Sequence, residues 1–384
     1  MRSLLPKFSL LMFSTLITLV LCEVLVRLFV PQQLIVRRPD IWRPDDTFGY
    51  RRRENINTVL NRGLGNVHIV TDSHGYRINQ NRGANNTTPD ISILVLGDSF
   101  IEALAVENEF TIPELIRKYL ENKYKKTVQV DNAAVSGWDP NHYLLQARMS
   151  LEKKQYALGI VFLYIGNDII SKKVYSFEAK IPRTESFNQT LRLPKNLQLN
   201  EIIDAIFLPV SEYLQTQSHL FVLAKQAGRI PLARLGLTSS RYTGYQIFDV
   251  KKVNLPNWRI TTEICEEIQN EFSRRGTPVF FVLLPTMMQV YEDVLRQYIN
   301  GLSIDPRLID SHQPNRMMKL HFETSGLLLV DPLEYMSLKA KSGYQMHGSG
   351  DRHFNKNGHQ IVTEYIEPII ESYIKSSLGI TAGF

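Results

Sequence analysis

From residue 92 onward, short apolar runs alternate with longer amphipathic stretches. Five of these runs are candidate strands, and they read SILVL, VQVDN, ALGIVFLYI, PVFFVLL and GLLLVD. Near-continuous apolar runs of this length are typical of strands that are buried on both faces, as in parallel sheets. Helical periodicity fills the intervals, at about residues 108–125, 140–154, 258–275, 314–325 and 358–375. The pattern therefore predicts a parallel sheet with helices packed on both sides.

The start of the second of these helices is marked by its own residues. Asp139 is the expected N-cap, because its carboxylate can accept hydrogen bonds from the first free N–H groups of a helix. Pro140 follows at the first helical position, where a missing N–H leaves no hydrogen bond unmade.

The size and composition of the chain are those of a globular protein. It has 384 residues, of which 43% are hydrophobic and 21% are charged, so a collagen-like or largely disordered chain is excluded. The two cysteines, Cys22 and Cys265, predict no disulfide framework. A formal net charge of +6 could favour an anionic membrane surface or an acidic glycan. We interpret this modest excess as a solubilising surface, and we expect no nucleic-acid partner.

The first 30 residues are predicted to form a transmembrane helix. No charge occurs between Phe8 and Cys22, and the apolar character then continues to Val30 apart from Glu23 and Arg27. Fifteen uncharged residues at about 1.5 Å each fall short of a hydrocarbon core about 30 Å thick. We therefore expect Glu23 and Arg27 near one membrane interface, where their spacing of four residues lets them pair on one helix face.

A cleaved signal peptide is the alternative interpretation of this segment. The residues before Cys22 are Leu19, Val20 and Leu21, whereas a cleavage site needs small residues, so we expect an uncleaved anchor. Positive charges flank the helix on both sides, with an excess after it that by itself favours a cytoplasmic location for the rest of the chain. These charges are Arg2, Lys7, Arg37, Arg38 and Arg43.

The remainder of the chain divides into a connecting layer and a main domain. Residues 31–90 are rich in Arg, Asn, Gly and Pro and contain one strand-like piece, VHIVTD, so we expect a connecting layer at the sheet edge with a loop at 81–90. Residues 91–384 are predicted to form the main domain. Within it, residues at about 171–257 interrupt the alternation and are interpreted as an insertion. Such an insertion is either a lid or substrate-selecting subdomain, or a surface excursion without a role.

Ser99 is the first candidate functional residue, in the sequence ISILVLGDSFIEAL. It follows a predicted buried strand, and Gly97 two residues earlier allows a tight turn. Ligands of parallel α/β sheets bind outside the carboxyl ends of the strands. Ser99 is therefore either a residue of a helix-initiating turn or a nucleophile at the mouth of the sheet.

A serine nucleophile needs a base and an acid that orients the base. In GSGDRHFNKNGH, His353 lies two residues after Asp351, a spacing that places both side chains on one side of an extended loop. We expect one ring nitrogen of His353 to face Asp351 and the other to face Ser99. A metal site is the alternative, because this stretch holds the possible ligands His347, Asp351, His353 and His359. Their spacing matches no familiar zinc signature, so we expect no metal. We also expect no cofactor.

Acyl transfer also needs hydrogen-bond donors for the oxyanion of a tetrahedral intermediate. Gly137 follows the second predicted strand and could offer its backbone N–H, and Asn167 follows the third and could offer its side-chain amide. The alternatives are a turn residue at Gly137 and a local cap at Asn167.

Together, the blocks VLGDSF, NAAVSGW, YIGNDI and DRHFNKNGH resemble, in this order, the four blocks of the SGNH (GDSL-like) hydrolases, over about residues 90–375. The resemblance implies a flavodoxin-like three-layer α/β/α fold with Ser99 as nucleophile, His353 as base and Asp351 as its orienting partner. It implies an oxyanion hole formed by the Ser99 backbone N–H, the Gly137 backbone N–H and the Asn167 side chain, with Asp98 in a structural role. Many family members separate the acid and the histidine by two residues, whereas only Arg352 separates them here.

The segments TDSHGYR and LLPTMMQVY, with the charged N-terminal helix, resemble the membrane-anchored bacterial members of that family. Those relatives usually carry the catalytic domain outside the cytoplasm. The N-terminus also has the order of a signal sequence, with a short basic start followed by an apolar run. For these two reasons we expect a periplasmic or extracellular location despite the flanking charges.

The leading hypothesis is a membrane-anchored esterase that acts on an acylated envelope polysaccharide or a lipid. A polysaccharide O-acetyltransferase with the same triad is the second hypothesis, and a non-catalytic binding module is the third. The sequence predicts no oligomeric state.

Overall fold

The computed structural model describes residues 4–32, 34, 40–62, 65–79, 88–170, 172–174, 177–179, 210–211, 213–234, 245–251, 255–348 and 351–377. Its strands are β1 (Trp42–Asp45), β2 (Gly49–Arg52), β3 (Asn57–Asn61), β4 (Asn66–Thr71), β5 (Arg77–Ile78), β6 (Ile91–Leu96), β7 (Val128–Asn132), β8 (Leu158–Tyr164), β9 (Val279–Leu284) and β10 (Leu329–Val330). Most of the expected loop at 81–90 and much of the expected insertion lie outside the described residues.

The helices begin with α1 (Leu4–Phe29), α2 (Ser99–Glu102), α3 (Ile112–Tyr124), α4 (Pro140–Lys153), α5 (His219–Arg234) and α6 (Leu255–Ser273). They continue with α7 (Met287–Val290), α8 (Glu292–Leu302), α9 (Gln313–Thr324), α10 (Leu333–Lys341) and α11 (Lys356–Ser377). The five predicted helices correspond to α3, α4, α6, α9 and α11. Helix α4 starts as predicted, with the Asp139 side chain accepting from the N–H groups of Asn141 and His142.

The five predicted strands form one parallel sheet in the order β7-β6-β8-β9-β10. This is the doubly wound, flavodoxin-like order, in which the chain adds one strand on one side of the first and the remaining three on the other. The predicted fold class is therefore confirmed. The order reverses next to β6, so the loops that follow β6, β7 and β8 open at the same edge of the sheet, where such folds bind ligands.

Two apolar cores cover the two faces of this sheet. Leu94 and Leu96 of β6 pack with residues of α4, α6 and α9, whereas Ile93 and Val95 pack with residues of α3, α10 and α11. All residues of β8 and β9 are buried. Burial on both faces is the reason that these strands appear in the sequence as continuous apolar runs.

The segment before the main domain contains more structure than the single strand expected there. Strands β1 and β2 form one antiparallel pair, and β3, β4 and β5 form an antiparallel sheet in which β4 corresponds to VHIVTD. The segment packs into the core on the side of α4, where the Phe48 ring stacks on Trp138 with centroids 4.9 Å apart. The aromatic side chains therefore join this segment to the loop that follows β7.

Helix α1 carries its apolar side chains exposed. Among the residues described, Pro6–Phe29 is the one stretch that is long and apolar enough to cross a membrane, a property that signal sequences share. The expected pair forms near its end, with the Nε of Arg27 2.6 Å from a carboxylate oxygen of Glu23.

The same Glu23 carboxylate caps helix α5 of the expected insertion. It accepts hydrogen bonds from the backbone N–H groups of His219 at 2.9 Å and Leu220 at 2.8 Å, and from the hydroxyl of Ser218 at 2.7 Å. Arg27 adds a bond to the carbonyl of Gln217 at 2.6 Å. Because the first N–H groups of a helix lack partners within the helix, a carboxylate there is stabilising. The end of α1 is thus joined to the insertion.

Candidate active site

Ser99 begins helix α2, and only Gly97 and Asp98 separate it from the end of strand β6. The turn into this helix is tight because Gly97 packs closely, and a Cβ on Gly97 would lie 2.8 Å from Cγ1 of Ile101. Asp98 caps the helix by accepting a hydrogen bond from the N–H of Phe100 at 2.9 Å. The Gly-Asp-Ser triplet therefore places the Ser99 side chain at the carboxyl edge of the sheet. The sequence predicts this position both for a residue of a helix-initiating turn and for a nucleophile.

The structure brings Ser99, His353 and Asp351 into one hydrogen-bonded chain. The Nε2 of His353 lies 2.9 Å from Oγ of Ser99, and its Nδ1 lies 2.7 Å from a carboxylate oxygen of Asp351. The proton on Nδ1 is directed to the carboxylate, so Nε2 is the nitrogen that can accept the hydroxyl proton of Ser99. This arrangement is chemically able to activate the hydroxyl as a nucleophile.

The single residue between Asp351 and His353 has a structural consequence. The same oxygen of Asp351 accepts both the ring Nδ1–H and, at 2.9 Å, the backbone N–H of His353. Burial of Asp351 opposes its ionisation, but the hydrogen bonds from His353 outweigh it and hold the pKa of Asp351 below its usual value. The short spacing thus lets one residue give the carboxylate two hydrogen bonds, which favour its charged form, and the bond to Nδ1 orients the imidazole.

Aromatic rings hold the imidazole of His353 from the side. Its ring lies 5.0 Å from that of Phe100, which in turn stacks on Tyr164 at 4.0 Å. Phe354 meets the ring of Phe100 edge to face at 5.0 Å. Phe100 directly follows Ser99, so a side chain that packs against the imidazole of His353 is carried by the same short helix as the Ser99 hydroxyl.

The structure places the two expected oxyanion donors in loops at this edge. Gly137, after β7, has a φ of +82°, in the left-handed region that favours glycine. Asn167, after β8, donates from Nδ2 to the second carboxylate oxygen of Asp98 at 3.0 Å. Asp98 is buried, and burial raises its pKa above the usual value. Asp98 thus connects the loop after β6 to the loop after β8, which agrees with the structural role expected for it.

Several polar groups near the site carry no clear signal in the sequence. Glu102 is fully buried and accepts the N–H of Ser136, and Tyr50 donates to the carbonyl of Ser136. Asp168, in the loop after β8, is fully buried and accepts from the N–H of Tyr164 at 2.8 Å. The sequence hints at the buried carboxylates only by placing an acidic residue within an apolar stretch, once at Glu102 and once at Asp168.

Two of the three histidines considered as metal ligands lie in the core. His347 and His359 are both buried and pack edge to face against Phe354, and burial lowers the pKa of each to about 3. Both are therefore neutral at ordinary pH. Within the described part of the chain, no group of three or more His, Cys, Asp or Glu side chains is placed to hold a metal ion.

Comparisons with known proteins give structural likenesses without sequence matches. No family model matches the sequence, and no curated protein matches it either. Among solved structures, TesA is 14% identical with a TM-score of 0.37, and the likeness covers 73% of this chain and 99% of TesA. A lipolytic G-D-S-L family protein from Veillonella parvula is 10% identical with a TM-score of 0.35, covering 73% and 98%. The acetyl xylan esterase AlAXEase is 11% identical with a TM-score of 0.39, covering 73% and 100%. At such identities and TM-scores, these likenesses assign no activity to this chain.

Proposed function

We propose that this protein is a serine esterase of the SGNH type, which hydrolyses an ester through an acyl-enzyme on Ser99. The observation that carries the proposal is the hydrogen-bonded chain from Ser99 through His353 to Asp351 at the carboxyl edge of the parallel sheet. Ser99 and His353 are 254 positions apart in the sequence. Here they meet with Asp351 in the order nucleophile, base and orienting acid that acyl transfer needs.

In the first half of the reaction, the Nε2 of His353 takes the proton of the Ser99 hydroxyl as Oγ attacks the ester carbonyl. The carbonyl π electrons move onto its oxygen, which becomes the oxyanion of a tetrahedral intermediate. The backbone N–H groups of Ser99 and Gly137 and the amide of Asn167 are the donors for that oxyanion. When the intermediate collapses, the carbon–oxygen bond to the alcohol breaks and the protonated His353 donates its proton to the departing alcohol.

In the second half, His353 takes a proton from water, and the resulting attack on the acyl-enzyme forms a second tetrahedral intermediate. Its collapse breaks the bond to Oγ, returns the proton from His353 to Ser99 and releases the acid. Asp351 stays ionised throughout, because its charge stabilises the imidazolium that forms in each half. A lowered pKa of Asp351 supports this assignment.

We further propose that the substrate is an acylated envelope polysaccharide or a lipid, and that α1 anchors the protein with its catalytic domain outside the cytoplasm. The exposed apolar surface of α1 over the 24 residues Pro6–Phe29 supports the anchor. The proposed side of the membrane rests on the resemblance of TDSHGYR and LLPTMMQVY to membrane-anchored bacterial family members. An anchor restricts the enzyme to esters that lie near the membrane, which favours substrates of the cell envelope.

Active-site labelling of the full-length protein tests the central proposal. A fluorophosphonate probe phosphonylates an activated serine, so the wild type should label while Ser99→Ala and His353→Ala should not. Ser92→Ala is the matched control, because Ser92 lies on the same strand β6 near its opposite end and should label as the wild type does. Absence of labelling in the wild type would overturn the proposal.

The fate of the acyl group is measured separately. The unlabelled full-length wild type is incubated with an activated acetyl ester, with and without acetyl-accepting glycans, and both free acetate and acetylated glycan are quantified. Free acetate in excess supports hydrolysis. Acetylated glycan in excess would replace the esterase by an O-acetyltransferase that uses the same Ser99.

A further inference from the structure

The peptide group between Ser136 and Gly137 is held from outside the main domain. Its carbonyl oxygen, on Ser136, accepts a hydrogen bond of 2.6 Å from the hydroxyl of Tyr50 on β2. In a planar trans peptide, the C=O and the N–H point in opposite directions. The bond from Tyr50 therefore sets the direction of the N–H of Gly137, which is the proposed oxyanion donor.

The preceding peptide group is fixed by a second buried side chain. The N–H of Ser136 donates to one carboxylate oxygen of Glu102 at 2.6 Å, and the other oxygen accepts from the indole N–H of Trp42 at 3.3 Å. The guanidinium of Arg52 lies 3.6 Å from Glu102 and balances its charge. Glu102 ends the short helix that Ser99 begins, so the loop carrying Gly137 is connected to the element that carries the nucleophile.

Gly137 and Tyr50 fit each other closely. A Cβ on Gly137 would lie 2.5 Å from the Tyr50 hydroxyl, so a larger residue cannot occupy this position without displacing the bond. The indole N–H of Trp138 also donates to the backbone carbonyl of Tyr50, at 3.1 Å. Burial raises the pKa of Tyr50, and the negative charges of nearby carboxylates, of which Glu102 contributes most, raise it further, so its hydroxyl keeps the proton that it donates.

We infer that Tyr50, supported by Glu102, is a positioning residue that aims the N–H of Gly137 at the oxyanion. The inference rests on the proposed function, and it gives Tyr50 on β2, outside the main domain, a part in positioning the oxyanion donor. A hydrogen bond to the carbonyl also polarises the peptide and strengthens its N–H as a donor. The effect is greatest in the tetrahedral intermediate, where the charge on the substrate oxygen is largest, so it should appear in kcat more than in KM.

The experiment compares Tyr50→Phe with Tyr76→Phe in the full-length protein. Tyr76 lies in the same N-terminal segment, and its buried hydroxyl forms a hydrogen bond of 3.0 Å with the hydroxyl of Ser150. This bond lies away from the site, so the loss of the Tyr76 hydroxyl is the matched control. We expect Tyr50→Phe to lower kcat about 10- to 100-fold with KM within about twofold, somewhat less than the loss of a whole oxyanion donor. Tyr76→Phe should keep kcat within about twofold of the wild type.

Binding of a boronic acid inhibitor gives the readout that a merely structural role would not change. It forms a tetrahedral anion on the serine, so its affinity should fall in Tyr50→Phe in parallel with kcat. Glu102→Gln, which keeps the side-chain shape and removes the charge, should lower both in the same way. Wild-type kcat in Tyr50→Phe overturns the inference, as does a loss of kcat with unchanged boronate affinity. A wild type that neither labels nor turns over an ester overturns the proposed function, and the inference with it.

Discussion

A carboxylate near the candidate site and a carboxylate at the end of α1 each join segments that are distant in sequence. At the carboxyl edge of the sheet, Glu102 receives the N–H of Ser136, and at the end of α1, Glu23 receives the first N–H groups of α5. Glu102 is fully buried, whereas the side chain of Glu23 is 20% exposed. The first is enclosed by the core, and the second lies at a junction of two helices.

The difference teaches which part of the protein is preorganised. Asp98 connects the loop after β6 to the loop after β8, and Glu102 of α2 connects to the loop after β7. The hydroxyl of Tyr50 on β2 holds the same loop after β7. Such cross-connections hold donors in place before any substrate arrives, which is what oxyanion stabilisation requires. At the junction of α1 and α5, the polar contacts come from Glu23 and Arg27. We therefore expect large catalytic effects from small changes at the first place and modest local effects at the second.

Apart from the loss of Ser99, we expect Asp351→Asn to lower kcat more than any other change at the candidate active site. An asparagine cannot hold the charged imidazole or enforce the tautomer that leaves Nε2 free, so kcat should fall about a thousand- to ten-thousandfold. Steady-state ester hydrolysis measures it. Asp46→Asn, at an exposed turn, is the control and should leave kcat unchanged. Turnover within tenfold of the wild type in Asp351→Asn would contradict the orienting role of Asp351.

The next largest expected effect is on the free energy of unfolding, which should depend on pH because of the buried His359. In the folded protein the pKa of His359 is lowered by burial from 6.5 to about 3, so between these values the unfolded chain binds a proton that the folded chain does not. The stability from this group is therefore complete above pH 6.5 and is lost as the pH falls. At about 1.4 kcal/mol per pH unit, the loss between pH 6.5 and pH 5 is about 2 kcal/mol.

Chemical unfolding at pH 7 and pH 5 measures this prediction. His359→Gln should lose less free energy of unfolding between the two pH values than the wild type does. His74→Gln alters an exposed histidine and should follow the wild type. An unchanged pH dependence in His359→Gln would show that the acid sensitivity arises elsewhere.

The smallest effect is expected at the junction, from Glu23→Gln. Loss of the negative charge at the start of α5 weakens a helix cap, which is worth about 1 kcal/mol. Hydrogen exchange of the amides of His219 and Leu220 in the full-length protein should become about fivefold faster. Glu292→Gln, an exposed residue of α8, is the control. Unchanged exchange would mean that packing, and not Glu23, holds α5 against α1.

Much of the site could be predicted from the sequence because parallel strands share one direction. Residues that follow buried strands meet at one edge, which is why Ser99, Gly137 and Asn167 are found there. The small sheets of β1 to β5 could not be predicted in the same way. Strands such as WRPD and GYRR are short and rich in charge, so they lack the apolar alternation that identifies a strand.

The sequence by itself determined the sheet, its helices and the position of the candidate nucleophile, because burial on both faces demands continuous apolar runs that are visible locally. Only the tertiary structure decided how the loop that carries Gly137, the proposed oxyanion donor, is held. The bond from Tyr50 to Ser136 joins residues 86 positions apart, and that from Glu102 joins residues 34 apart. A hydrogen bond depends on the direction of both partners, and no periodicity in either segment records where the other will lie.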